Sequence, residues 1–461
     1  MNLRKFVGDR AFYRKLFAVM VPILIQNVIT NFVSLLDNVM VGQVGTESMS
    51  GVAIVNQLFF VFFVCIFGGL SGAGILTAQF YGKGDTEGIR HTLRTKLWIG
   101  LVTVLLFGAV FLARGDRLIG LFLHEGEEAL DLQATLRHGR EYLSVMLLQM
   151  LPFALTQVYA GTLRETGETV LPMKAGIAAV CVNLVFNYIL IFGKLGAPAL
   201  GVVGAAAATV LSRLVECAVV VSWTHRHAAE KPWARGAFRS LRVPRAVAKR
   251  ILLMGAPLLA NEFLWSGGMT VLNQCYSLRG LEVVSALNIA TTVSNLFFCA
   301  FLAMGNATAI LVGQLLGAGE LERAVDEDRK LIAFSVALST AVGAVMALVA
   351  PLVPQIYNTT ALVKALAVRL LLISAVMMPV NAFTNSCYFT LRSGGKTLIT
   401  FVFDSMFVWV VSIPAAMFLS RCTAMPIVLL YLTIYLLDLI KCVIGYVMVK
   451  KRGWVVNLVA R

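Results

Sequence analysis

The sequence predicts an all-α, polytopic membrane protein of about twelve transmembrane helices, arranged as two six-helix, parallel-repeat lobes around a central cleft. Three observations carry this expectation: a composition suited to lipid, apolar runs of spanning length along the whole chain, and an internal repeat in constant register. Of the 461 residues, 59% are hydrophobic and 14% are charged. Soluble domains carry about 25% charge and about 45–50% apolar residues, so lipid is the main solvent of this chain. The formal net charge of +15 then reads as membrane topology rather than nucleic-acid binding. Cys65, Cys181, Cys217, Cys275, Cys299, Cys387 and Cys442 lie in apolar stretches without metal-type spacing and read as small core residues.

Runs long enough to cross roughly 30 Å of hydrocarbon place helices over 16–40, 51–79, 95–113, 139–160, 168–192 and 199–223. A second set covers 249–275, 283–315, 331–350, 366–389, 397–419 and 426–449. The first run follows Arg4, Lys5, Arg10, Arg14 and Lys15. It is too long, and with Asn27, Asn31 and Asp37 too polar, for a cleaved leader, so it stays as helix one. Most lysines and arginines fall on the side of the N-terminus, which puts both termini in the cytoplasm of a multi-pass cell-membrane protein. The one long polar stretch near the middle, residues 224–248, separates an N-lobe, 1–223, from a C-lobe, 249–461. It reads as a solvated basic linker, with contact to anionic lipid head groups as the other reading.

Across that linker the chain repeats itself. Pro22 aligns with Pro257, Glu47 with Glu282, Ser50 with Ser285, Phe62-Phe63 with Phe297-Phe298 and Gln79 with Gln314, all at one offset without a gap. Further along, Leu163-Arg164, Gly167 and Thr169 match Leu391-Arg392, Gly395 and Thr397. Repeats in the same order and orientation are related by an axis along the membrane normal, and transporters place substrate at such an interface.

Several stretches resemble the multidrug and toxic compound extrusion (MATE) family. They are Asp37-Asn38-Val39-Met40-Val41-Gly42, Gln79-Phe80-Tyr81-Gly82, Leu163-Arg164-Glu165-Thr166-Gly167 before Pro172-Met173, and Asn183 with Asn187-Tyr188-Ile189-Leu190-Ile191-Phe192-Gly193 leading into Gly201-Val202-Val203-Gly204. The resemblance runs over nearly the whole chain. It implies a twelve-helix fold, an outward V-shaped cleft, and antiport of cationic drugs against sodium or protons.

Ionisable groups inside a membrane are costly and face a cavity or a partner, which makes Asp37, Glu262 and Asp404 the first candidates. Arg213 with Glu216, and Asp438 with Lys441, sit three residues apart and can neutralise each other locally. Asp37 has no basic neighbour in its helix. It either reaches interfacial water or serves a cavity, where low dielectric disfavours its charge and suits it to carry a proton. The resemblance implies the second role, cation coupling at Asp37, with Asn183, Asn187 and Thr209 as its partners. Some relatives have a second acid where this chain has Asn187, so H+ and Na+ both stay open as the coupling ion, and no metal beyond a sodium ion at Asp37 is expected.

Glu262 lies some thirteen residues into helix seven, which at about 1.5 Å per residue is near the bilayer midplane. It is a counter-charge for cationic substrate or a second protonation site. Relatives carry the helix-seven acid about one turn later, at the position of Trp265 here, and Asn381 and Asn385 stand in the region of their helix-ten acid. With Asn261, Trp265, Asn288 and Asp404, Glu262 makes up the expected substrate-binding set. Asp404 reads equally as a hydrogen-bonded structural residue. Phe59, Phe60, Phe297, Phe298 and Trp409 are candidate aromatic faces for cations or core residues.

No phosphate loop, metal-hydrolase or nucleophile motif is present, so the chain is not expected to be an enzyme and needs no cofactor; its energy comes from an ion gradient. The expected function is secondary active export of cationic or amphipathic drugs and toxic metabolites. Its partners are those small molecules and the lipid bilayer, without nucleic acid, and the chain is expected to act as a monomer. A flippase for lipid-linked saccharide precursors shares the predicted fold but calls for several basic cavity residues. A membrane receptor would need a larger external region than the longest outside loop, roughly 114–138.

Overall fold

The structure, a computed structural model, describes residues 5–122 and 131–460. Its long helices are α1 (Arg10–Gly42), α2 (Thr46–Lys83), α3 (Thr86–Gly120), α4 (Leu132–Glu165), α5 (Val170–Phe192), α6 (Gly201–Arg226), α7 (Arg245–Ser277), α8 (Leu281–Ala318), α9 (Leu321–Val349), α10 (Ala361–Ser393), α11 (Thr397–Cys422) and α12 (Ile427–Lys450). Among the described residues there is no β-strand. Eleven of these helices are long and apolar enough to cross a membrane. The remaining one, α7, is as long as its neighbours but is interrupted by Asn261, Glu262, Asn273 and Gln274.

The helices outrun the apolar runs because hydropathy marks the lipid-facing part of a helix and not its hydrogen-bonded length. Thus α3 begins at Thr86 and carries Arg90, His91, Arg94 and Lys96 before its apolar section. The expected outside loop shrinks accordingly, since α3 reaches Gly120 and α4 starts at Leu132, where the Asp131 carboxylate accepts from the amides of Gln133 and Ala134. Residues 123–130 of that loop, and Arg4 of the basic run before helix one, lie outside the described residues, as does Arg461. Proline leaves its mark where it removes a backbone donor. A 3₁₀ turn at Leu147–Gln149 precedes Pro152 in α4, and two π-helical stretches, Val402–Met406 and Val408–Ser412, precede Pro414 in α11.

The chain forms two compact units, Ile25–Thr77 with Thr86–Leu252, and Met1–Leu24 with Ala78–Asp85 and Leu253–Arg461. Their limits differ from a cut at the linker. The first section of α1 packs Phe12, Leu16, Met20 and Ile23 against Ala303, Met304, Leu331 and Leu391, so it is counted with the C-terminal helices. The basic stretch after α6 is mostly exposed, as a connector would be, but it is held against α3. Trp233, Ala234 and Ala237 are buried, and Arg90, Arg94 and Trp98 of α3 donate to the carbonyls of Pro232, Ala237 and Leu241.

In the first unit the core is aromatic: Phe59, Phe62, Phe63, Phe107, Phe111 and Phe153 pack ring on ring, with Phe63 and Phe153 centroids 4.5 Å apart. Phe59 is therefore core and offers no face to a cation; only Phe60 of that pair is exposed. Cys181, read as a core thiol, is exposed, whereas Cys275, Cys299 and Cys387 are buried.

In the second unit the end of α2 meets the end of α8 by reciprocal contacts. Gly82 lies on the Gln314 backbone and Gly317 on the Gln79 backbone, each too close to admit a Cβ. These are the residues that the repeat aligns, so one segment meets its own copy. The C-terminal segment closes over this junction. Gln79 donates to the carbonyls of Ser393 (3.0 Å) and Val456 (3.3 Å) and accepts from the Leu458 amide (2.7 Å), while Lys83 donates to the Val459 carbonyl (2.6 Å). Trp454 is wholly buried beneath it.

Overpacking of this kind costs about 1–3 kcal/mol. Gly317→Ala is therefore expected to lower the unfolding temperature of the detergent-solubilised protein. Gly108→Ala, at a helical position where a Cβ meets open space, is expected to leave it unchanged or raise it, because alanine is the better helix former.

Candidate functional site

Asp37, Asn183, Asn187 and Thr209 come together from three helices of the first unit. α5 and α6 approach closely because Gly204 has no side chain to strike the Leu190 carbonyl. On α5 the two asparagines, four apart, share one face and are buried. Asn187 Nδ2 donates to Asp37 Oδ1 at 2.6 Å and to Asn183 Oδ1 at 3.2 Å, and Asn183 Nδ2 reaches Thr209 Oγ1 at 3.4 Å. Thr209 in turn donates to the Ala205 carbonyl at 3.0 Å, which holds its hydroxyl on this side of α6.

The Asn183 amide has two useful orientations, since its ends are alike in shape. With nitrogen toward the carboxylate it donates to Asp37 Oδ1 at 2.8 Å and Oδ2 at 3.2 Å. With oxygen toward it, the same contact is favourable only when Asp37 carries a proton and donates it. The site can thus solvate either form of the acid without any other ion. Among the described residues, Asn187 Oδ1 is buried without a hydrogen-bond partner and remains as a further acceptor.

The sequence reading missed a charge at this site. Arg213, one turn beyond Thr209, acts electrostatically on Asp37. It forms the expected pair with Glu216 at 2.8 Å and lies over the Phe153 ring, 5.5 Å from its centroid. The signal available in the sequence was its spacing of four from Thr209 on α6.

In the second unit a separate polar cluster forms around Asn261 and Asp404. Asn261, 3% exposed, donates to Asp404 Oδ2 at 3.2 Å and to the Tyr388 hydroxyl at 3.5 Å, and its side-chain oxygen accepts from Ser405 at 2.7 Å. Asp404 Oδ1 is paired with Lys441 Nζ of α12 at 3.1 Å. Lys441 is coupled electrostatically to Asp438 on its own helix, as expected, but its ion pair is made across helices, to Asp404. The π-helical backbone at Val402–Met406 carries Asp404, and the ammonium sits 5.7 Å from the centroids of both Phe403 and Phe407.

Glu262 is half-buried and is coupled electrostatically to Arg392 and Asp404. Trp265 and Asn288 are exposed and no hydrogen bond joins them to this cluster among the described residues. Trp409, expected as an aromatic face, is tied down instead, its indole donating to the Leu264 carbonyl at 2.7 Å. Tyr388 and Lys441 were not recognised as partners of Asn261 and Asp404 because α10 and α12 meet α7 and α11 only in three dimensions, and Ser405, beside Asp404, was passed over.

The family model described as MatE matches residues 22–189 and 257–418. This chain belongs to the MATE family. The two matches begin at Pro22 and Pro257, the first pair of the internal repeat, and they include Asp37, Asn183, Asn187, Glu262 and Asp404 but neither Thr209 nor Lys441. The MATE chain is similar to the Probable multidrug resistance protein NorM of Thermotoga maritima, 26% identical over 412 residues that cover 87% of this chain and 84% of that protein. It is similar also to the Multidrug resistance protein MdtK of Pectobacterium atrosepticum, 26% identical over 88% of this chain and 87% of the relative. A solved outward-facing multidrug resistance MATE family transporter of the MOP superfamily shares its fold, with a TM-score of 0.86, 21% identity and coverage of 98% and 97%. The protein is accordingly a multi-pass membrane transporter and not an enzyme.

Removing one partner of a buried ion pair costs about 3–5 kcal/mol, because the other charge is left uncompensated. Lys441→Met in this MATE protein is expected to lower its melting temperature strongly, and Asp404→Asn in the same chain to restore most of the loss. A double variant no more stable than Lys441→Met alone would show that the pair does not carry the effect.

Proposed function

We propose that this transporter exports cationic and amphipathic small molecules in exchange for protons, by alternating access, with Asp37 as the carboxyl group that carries the proton. The observation that supports this most is the setting of Asp37, whose neighbours on α5 and α6 are amides and a hydroxyl able to satisfy it both charged and neutral. When protonated, Asp37 donates to the Asn183 oxygen, and the site is neutral. When ionised, it accepts from the amide nitrogens of Asn187 and Asn183 and offers a negative charge to a cationic substrate. Proton and drug then compete for one carboxylate, which is the exchange an antiporter needs. The names of the relatives, multidrug resistance proteins, favour the same substrate class.

Sodium is the second reading. A single acid with neutral oxygens from Asn183, Asn187 and Thr209 is compatible with a hard monovalent ion. Arg213 favours the ionised carboxylate and opposes its neutralisation by a proton and by sodium alike, so the gradient experiment below decides between the two ions. In the other unit, Glu262 supplies negative charge for substrate, Asp404 is held by Lys441 and Asn261 beside it, and exposed Trp265 and Asn288 on α7 and α8 complete the contact set. The cell membrane, with both termini in the cytoplasm, is the setting of this reading.

Proteoliposomes with imposed gradients test it. A proton gradient is expected to drive accumulation of a fluorescent cation by the native chain, and Asp37→Asn is expected to abolish gradient-driven accumulation. Transport driven by sodium at constant pH would replace the proton with sodium in this scheme. Undiminished proton coupling in Asp37→Asn would remove Asp37 from it.

A further inference from the structure

Outside these two clusters, the second unit holds a carboxyl group that the transport scheme does not use. Asp328 of α9 is 1% exposed and accepts a hydrogen bond from Thr390 Oγ1 of α10 at 2.6 Å. α9 and α10 run antiparallel here, with Gly343 against the Ala375 carbonyl further along and Asp328 against Thr390 in the same register. Among the described residues, no lysine, arginine or histidine nitrogen lies within 4.0 Å of Asp328. The groups that act on it are Arg329, next in its own helix and turned to Asp326 at 3.9 Å, the Cys387 thiol on α10 and the Thr390 hydroxyl. Of the other elements packed on α9, α8 has Glu282 as its only carboxylate, in its first turn, and α1 carries Arg10, Arg14 and Lys15 on the section that packs Tyr13 and Phe17 against Phe334.

The internal repeat supplies a control. In the first unit, Lys96 of α3 donates to Thr162 Oγ1 at 3.1 Å and is paired with Glu165, both on α4. Thr162 and Glu165 align with Thr390 and Ser393, at the offset that matches Leu163-Arg164 with Leu391-Arg392. Lys96 starts one turn further along its helix than Asp328, and its longer side chain reaches the equivalent threonine. Each half therefore buries one ionisable group on this threonine, but only the first half supplies the opposite charge. Where Glu165 balances Lys96, the second half has Ser393, whose hydroxyl is spent on the Phe389 carbonyl. A buried carboxylate without a cation is neutral only if it is protonated. On the same face of α9, the hydroxyls of Ser335 and Ser339 are buried and make no hydrogen bond among the described residues.

We propose that Asp328 is a proton-binding site of the C-terminal half, distinct from Asp37 and from the Asp404 cluster. In the packed state its carboxyl oxygen holds the proton. Breaking that O–H bond passes the proton to water and leaves a carboxylate that the α9–α10 interface does not neutralise, so release accompanies separation of the two helices around Thr390. The site is independent of the exported compound and of the coupling ion.

Infrared spectroscopy of the purified full-length chain, with aspartate carrying carboxyl ¹³C, tests the assignment without transport. At neutral pH the native-minus-Asp328→Asn difference spectrum is expected to contain the carbonyl stretch of a labelled, protonated acid. A difference containing carboxylate bands alone would overturn the proposal. If Asp328→Asn does not fold, Asp328→Glu, whose carboxyl is unlabelled, gives the same comparison with the same two outcomes. Maleimide labelling of Cys387 reads the consequence: its rate is expected to rise with pH more steeply in the native chain than in Asp328→Asn, and equal slopes would sever proton release from helix separation.

Discussion

A charge or an unpaired polar group in hydrocarbon has no water to fall back on, and this constraint organises the chain more than any single contact. Placing a carboxylate or an ammonium at the centre of a transmembrane helix costs about 2.5–3.5 kcal/mol even on the most lenient scale. The protein meets that cost locally, within each unit, and in a different way each time. Asp37 is surrounded by amides, Lys96 by a carboxylate and a hydroxyl, and Asp404 by an ammonium and an amide. At Asp328 the proposed proton meets it. The backbone follows the same rule, since the long helices bond their own donors and acceptors, and the ladder shifts to a 3₁₀ turn before Pro152 and to π turns before Pro414.

Helices that must hide polar groups from lipid also need to pack closely, and without a hydrophobic driving force between them that packing relies on small residues and shape. Gly204 lets α5 and α6 approach until Asn183 and Thr209 can meet. Gly82 and Gly317 let the aligned ends of α2 and α8 touch through backbone, and the C-terminal segment then satisfies Gln79 at that junction. The buried phenylalanines serve another end, a rigid aromatic core beneath Arg213. Packing and electrostatics are linked at that point, because the ring of Phe153 and the carboxylate of Glu216 hold the guanidinium that acts on Asp37.

Gene duplication supplied two equal halves, and function made them unequal. Asp37 has Leu272 at its aligned position, and that leucine is buried in a purely apolar cluster of the second unit. Glu262 aligns with Asn27. The same asymmetry recurs at the threonine pair, where a lysine with its glutamate answers a lone aspartate. One half frames a single acid with amides and the other builds a carboxylate–ammonium network, so the exchange of proton and drug proposed at Asp37 has no counterpart at the aligned position of the second half.

The fold class, the helix count and the repeat were legible in the sequence because hydropathy and constant register are one-dimensional properties that survive folding unchanged. Asp37 was legible for the same reason, as an acid in an apolar run, whereas its asparagine partners on α5 came from the family resemblance. Helix ends were not, since polar turns extend a helix without extending its apolar run. Partner choice was not legible either. Lys441 stands three residues from Asp438 yet bonds Asp404, and Trp409 caps a carbonyl of α7 rather than facing a cation. Those outcomes depend on which helix faces meet and at what register, a question of three-dimensional packing that spacing along one helix does not answer. The sequence by itself determined what kind of molecule this is and where its charges are costly; only the tertiary structure decided which groups neutralise them.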